Sequence, residues 1–298
     1  MRIGIDLGGT KIEAIALDDS GAILCRRRVS TPREDYAGTI RAMVDLVRAI
    51  EGELRTTATV GVGTPGAISP ATGVIKNANS TWLIGRPLGA DLEGALGRTV
   101  RLANDANCFA LSEAVDGAAA GAEVVFGVIL GTGVGGGIVA HGRLLTGPNA
   151  IGGEWGHNPM PWPDEEEWPG PPCYCGRMGC IELFLSGTGL ARDHRAATGR
   201  ETDAADVVAA ADRGDAEAER VVRRYERRLT RALAAVINVL DPDVIVLGGG
   251  MSKSERLYAN VPRDWGRWIF SDRIDTRLVP PRHGDASGAR GAAWLWPR

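Results

Sequence analysis

Three of the five cysteines, Cys173, Cys175 and Cys180, fall inside the stretch PCYCGRMGCIE, while Cys25 and Cys108 stand alone. Thiols crowded this way are metal ligands or reactive groups. The C-x-C-x4-C spacing is not the commoner C-x-x-C of zinc sites, so the spacing leaves zinc ligation and plain reduced thiols both open. A redox role is the weaker reading, because a thioredoxin-type pair needs C-x-x-C.

A second set of candidates is built from glycine. Gly131-x-Gly133-x-x-Gly136 matches the dinucleotide fingerprint, but Gly-Ile-Val-Ala follows it, a strand-like run where the fingerprint needs a helix. Gly8–Lys11 lacks the spacing of a Walker A loop. Each is therefore a glycine turn between two strands. Such a turn can gather backbone N–H groups into an anion-binding nest. Thr10 and Thr132 add a hydroxyl to each, and Asp6 precedes the first. Either turn alone could be an ordinary hairpin; two of one design favour phosphate. The remaining candidate is Asp105, in Asn104-Asp105-Ala106-Asn107 after a short strand. It could serve as a general base or as the N-cap of the next helix.

The elements that must hold these groups can be read from periodicity. Strands are expected at Ile3–Leu7, Ile12–Leu17, around Ala22–Val29, Val60–Val62, Val100–Leu102, Val124–Leu130, Ile138–Ala140 and Asp243–Leu247. Helices are expected over Tyr36–Ile50, from Cys108 to about Ala120, and over Glu217–Leu240. On the last, the arginines between Arg220 and Arg231 are expected to form a solvated face. Pro161–Pro172, acidic and proline-rich, is expected to be a loop with little regular structure. The strand–glycine turn–strand unit occurs twice, which points to two domains of similar design.

The chain of 298 residues fits one large or two ordinary domains, and 44% hydrophobic content supports a sizeable core. A net charge of −3 gives no electrostatic footprint for nucleic acid or a membrane surface. The N-terminus has no signal-peptide pattern and no apolar run is long enough to span a bilayer, so a cytoplasmic protein is expected.

IDLGGTK, GVGTPGAI, ANDAN, LGTGVGGG, EWGH, CYCGRMGCIE and LDPDVIVLGGGMS follow one another in the order found in ROK sugar kinases, and the chain resembles that family along essentially its whole length. The segments NANSTWL, SEAVDGAAAGA and GARGAAWLWP look most like the bacterial fructokinase/mannokinase branch. The resemblance implies an α/β, two-domain actin-like ATPase (ribonuclease H-like) fold, with ATP and sugar in the cleft between domains. The expected domains are 1–117, with a C-terminal helix 285–298 packing back on it, and 118–284, carrying the cysteine loop. The implied activity is ATP-dependent phosphorylation of a hexose, D-fructose to fructose 6-phosphate with some mannose. N-acetylglucosamine or glucose kinase activity is the alternative within the family. A non-catalytic sugar sensor is the alternative outside it; ROK repressors carry a helix-turn-helix ahead of the glycine loop, for which the first strand, at about Arg2, leaves no room.

By the same resemblance Asp105 is the catalytic base. Gly8, Gly9, Thr10 and Lys11, with Gly131, Thr132 and Gly133, hold the phosphates, Asp6 holds Mg²⁺, and Gly249 and Gly250 lie against the adenosine. Asn104, Glu154, His157 and Glu182 would bind the sugar, with Gly66 and Asn79 on the same wall. His157 also supplies the fourth partner of the cysteines, giving a structural Zn²⁺ site of His157, Cys173, Cys175 and Cys180. One ring nitrogen would bind the metal and the other would be aimed at the sugar. The partners implied are ATP and a hexose, and the family is commonly homodimeric.

Overall fold

In the computed structural model, which describes residues 1–297, the opening strand–turn–strand is an antiparallel hairpin. Its strands are β1 (Arg2–Leu7) and β2 (Lys11–Leu17). Both are almost entirely buried, including the charged Arg2 and Glu13 among their apolar residues. β3 (Ile23–Ser30) pairs antiparallel with β2, and β4 (Thr59–Thr64) and β7 (Val100–Asn104) extend the sheet in parallel on the other side of β1. The order is β3-β2-β1-β4-β7, with a two-residue pair, β5 (Ala67–Ile68) and β6 (Ile75–Lys76), apart from it. Helix α1 (Tyr36–Leu54) buries Met43, Val44, Val47 and Ile50 in the same core as Ile3, Ile5, Val60 and Val62. Helices α2 (Leu88–Leu96) and α3 (Asp105–Val115) follow.

The second sheet has the order β10-β9-β8-β11-β12. Its strands are β8 (Val124–Leu130), β9 (Val134–Ala140), β10 (Arg143–Leu144), β11 (Val244–Gly248) and β12 (Arg277–Val279). β11 runs parallel to both β8 and β12. Its helices are α4 (Ile181–Leu185), α5 (Gly187–Thr198), α6 (Ala204–Asp212), α7 (Ala216–Leu240) and α8 (Arg256–Trp265); α9 (Ser287–Trp294) closes the described chain.

Contacts divide the chain into one unit of Met1–Gly121, Gly137–Gly152 and Arg282–Arg298 and another of Ala122–Gly136 and Gly153–Pro281. Compared with the expected boundaries at 117 and 284, residues 137–152 join the first unit. The reason is close packing: Gly137 lies so near α3 that a Cβ there would come 2.6 Å from the Ala106 carbonyl oxygen. Lys76 Nζ also donates to the Asn149 carbonyl at 2.9 Å.

Several local expectations need correction. The helix expected from Cys108 to about Ala120 begins at Asp105 and ends at Val115. The Asn104 side chain caps its start, and past Asp116 the Glu113 carboxylate accepts the Ala118 N–H at 2.8 Å in place of a further helical turn. The helix expected over 285–298 is a 3-10 turn, Gly284–Ala286, followed by α9; Arg298 lies outside the described residues. The 161–172 loop contains a 3-10 turn, Glu165–Glu167, with a reciprocal capping box between Asp164 and Glu167. The arginine face of α7 is only partly solvated: Arg220, Arg223 and Arg227 are exposed, but Arg228 and Arg231 are buried.

Candidate functional site

The first glycine turn closes when the Gly8 N–H donates to the Lys11 carbonyl at 3.0 Å, and the Thr31 hydroxyl donates to the Gly8 carbonyl at 2.7 Å. Thr10 and Lys11 are left exposed at its tip. In the second turn the Gly131 N–H donates to the Gly133 carbonyl at 3.0 Å, with Thr132 exposed between them. The start of α5 braces this turn: the Gly187 N–H donates to the Gly131 carbonyl at 2.7 Å, and the Thr188 hydroxyl to that of Thr132 at 3.0 Å. Gly249 follows β11 at φ +80°, where a side chain would be strained, and a Cβ there would lie 2.5 Å from the Leu130 carbonyl oxygen. Glycine thus lets the chain after β11 reach the end of β8.

A cavity of about 940 Å³ opens beside this second turn, lined by Gly131, Thr132, Gly187, Thr188, Gly250 and Met251. Its far wall is α6, which offers Ala204, Ala205, Val208 and Ala209, a flat apolar surface. The sequence reading missed this wall. Its small residues carry no chemical signature; a short alanine-rich helix after two sheet-ending glycine turns is the only signal available.

In the first unit Asp105 is the first helical residue of α3, where the free N–H groups of the helix favour an anion. Asn104, not Asp105, supplies the cap: its Oδ1 accepts the Ala106 N–H at 2.9 Å. Its Nδ2 donates to the Gly66 carbonyl at 3.0 Å, so both ends of the amide are engaged by backbone. Gly66 has φ +72° and packs on the backbone of Lys76 and Ala78; Asn79 is exposed in the loop before the 3-10 turn Thr81–Leu83. Asp6 lies one residue before the end of β1, its carboxyl raised to about 6 by burial first and then by the negative charges of Asp105 and Glu13.

In the second unit the cysteines meet a histidine. One ligand atom from each of His157, Cys173, Cys175 and Cys180 lies within 4.8 Å of all the others. The Cys175 and Cys180 sulfurs are 3.6 Å apart, and Cys173 Sγ is 3.6 Å from His157 Nδ1. Tetrahedral zinc with Zn–S near 2.3 Å requires about 3.8 Å between sulfurs, so the donor set and spacing fit the ion. The backbone N–H of Arg177 pulls the Cys175 thiol down to about 7, while burial pushes Cys180 up to about 12.

His157 Nε2, expected to face a sugar, meets the Tyr174 hydroxyl at 2.8 Å, the two rings edge to face at 5.0 Å. Tyr174 is itself largely exposed, and its hydroxyl is raised by partial desolvation and then by the charges of Glu182, Cys173 and Glu154. Both carboxylates therefore approach the ring that covers His157. Glu154 precedes the 3-10 turn Trp155–His157, and Glu182 lies in the first turn of α4. Glu182 Oε2 accepts the Val134 N–H at 2.9 Å, and a Cβ on Gly133 would come within 2.6 Å of it. The second glycine turn is thereby joined to the helix that follows the cysteines.

The model of the ROK family matches residues 2–298. The chain is 40% identical over 299 aligned residues, 99% of each chain, to the N-acetyl-D-glucosamine kinase of Photobacterium profundum. It resembles the ROK hexokinase of Thermus thermophilus with a TM-score of 0.87 at 35% identity, covering 98% of this chain and 96% of that one. It resembles a ROK family glucokinase of Streptomyces griseus, solved with glucose and AMPPNP, with a TM-score of 0.80 at 29% identity, covering 99% and 98%.

Proposed function

The chain belongs to the ROK family and has its α/β actin-like ATPase fold, and from that premise we propose that it transfers the terminal phosphoryl group of ATP to a hydroxyl of N-acetyl-D-glucosamine. The observation that carries the sugar assignment is the near full-length likeness to a kinase named for that sugar. It replaces the expected D-fructose and mannose: the segments that pointed to them lie outside the phosphate turns, whereas the likeness runs through the whole chain. The glucose bound to the glucokinase supports a hexopyranose site of the same general design.

In this reading the Gly8–Lys11 turn and the Gly131–Gly133 turn hold the phosphates by backbone N–H groups and the threonine hydroxyls. ATP enters as its magnesium complex, with Asp6 directed at the ion. The α6 wall and Gly249–Gly250 take the adenosine, for which the 940 Å³ cavity has the room. Asp105 accepts the proton of the attacking hydroxyl. Glu154, His157 and Glu182 bind sugar hydroxyls, a hydroxyl taking the place of Tyr174 on His157 Nε2; Asn104, Gly66 and Asn79 shape the wall on the first unit. The cysteine–histidine cluster holds zinc, which when bound fixes the His157 ring and the loop that ends at Glu182. The expected domains and homodimer belong to the same proposal.

The test is ADP release from MgATP against N-acetylglucosamine, glucose, mannose and fructose, with zinc-replete protein. N-acetylglucosamine should give the highest kcat/KM. Preference for fructose would restore the first expectation, and no ADP release with any sugar would refute a kinase.

A further inference from the structure

We propose that Arg228 and Arg231 are positioning residues for the cysteine–histidine cluster, gripping from one face of α7 both the connector between His157 and Cys173 and the helix that follows Cys180. This rests on the zinc and sugar reading above.

The connector, residues 158–172, has one short turn, Glu165–Glu167, as its regular structure. Left to itself, a segment of this length must lose its closure entropy at the metal site alone. Its middle is fastened instead. Glu167, 3% exposed, accepts Arg228 Nε at 2.7 Å on one carboxylate oxygen and Arg231 Nη2 at 2.6 Å on the other. Arg231 Nη1 also donates to the Trp162 carbonyl at 2.7 Å. Burial raises the Glu167 carboxyl, but the Arg228 hydrogen bond, the Asp164 N–H and the two guanidinium charges outweigh it and hold the group below the usual range.

The second arm is held from the same helix face. The Arg228 guanidinium lies 4.9 Å over the ring of Phe184, in α4, whose N-cap is Cys180. Tyr225, one turn earlier on α7, donates its hydroxyl to the Leu185 carbonyl at 2.8 Å. Residues 225, 228 and 231 follow one another at helical spacing along a single stripe. Asp193 completes the pairing of Arg228 at 2.7 Å. A buried ionic set of this kind adds little stability that well-packed apolar side chains would not also give. What it adds is direction: two guanidinium groups on one carboxylate fix where the connector runs.

Glu167→Gln separates the possibilities, read by thermal melting, by zinc release to a chelator, and by KM for sugar and for ATP. Zinc should leave on the order of tenfold faster, and KM for sugar should rise by a similar factor with KM for ATP unchanged. The triple change Glu167→Leu, Arg228→Met and Arg231→Met, which leaves Asp193 paired with Arg224, should recover melting temperature through apolar packing yet still release zinc fast. Wild-type zinc release from Glu167→Gln, or recovery of zinc retention together with melting temperature in the triple variant, would overturn the proposal. If the wild-type protein phosphorylated no sugar, the kinase reading would fall, and zinc release would still decide this one.

Discussion

Asp6 is partly buried beside the negative charges of Asp105 and Glu13, and its carboxyl is raised from 3.8 to about 6. A carboxyl raised on folding holds its proton more tightly in the native chain than in the unfolded one. Stability therefore falls as pH rises from about 4 to 6, and the full cost, up to about 3 kcal/mol, persists above that window. Asp6→Asn should melt higher than wild type at pH 7.5 without nucleotide, the gap closing below pH 4, while turnover is lost. An equal gap at both pH values would contradict the assignment. Asp105→Asn, which keeps shape and removes the proton acceptor, should lower kcat by at least about 100-fold with both KM values little changed. At this scale the three crowded cysteines were visible by type and His157 came from the family resemblance, and the four lie together. The sequence was not legible for Arg228 and Arg231. Periodicity sees a charged residue and places it in water, but the carboxylate that buries Arg228 lies 61 positions away in sequence.

Elements were legible in their existence more than in their ends. Both glycine turns and most of the long strands are where apolar runs put them, but β9, expected at Ile138–Ala140, already begins at Val134 and runs through Gly135–Gly137. The start of α3 was misplaced because Asn104 and Asp105 both favour helix starts and only geometry shows which one caps. That a C-terminal helix packs back on the first unit was expected, and α9 does so; how closely it approaches could not be read, since that depends on glycines in other elements. A Cβ on Gly61 would fall within the Ala292 carbonyl, and one on Gly4 within that of Ala289. These strands meet the α9 backbone directly. Gly61→Ala should destabilise the protein by roughly 3 kcal/mol or more, seen as a lower denaturation midpoint, because neither backbone can yield. An unchanged midpoint would mean that α9 does not sit flat on β4.

At the scale of the whole chain there are two five-stranded sheets, and each contains a strand–glycine turn–strand hairpin. No described helix is long and apolar enough to cross a membrane. The repeat of strand–turn–strand was visible in the sequence, whereas the sugar was not, because no motif in the phosphate turns separates one hexose from another. The proposed sugar is N-acetylglucosamine. The most direct measurement gives zinc-replete protein equal amounts of N-acetylglucosamine and fructose with limiting MgATP, and identifies the phosphorylated products by mass. N-acetylglucosamine phosphate is the expected dominant product. Fructose phosphate in excess, or no phosphorylated sugar, would contradict it.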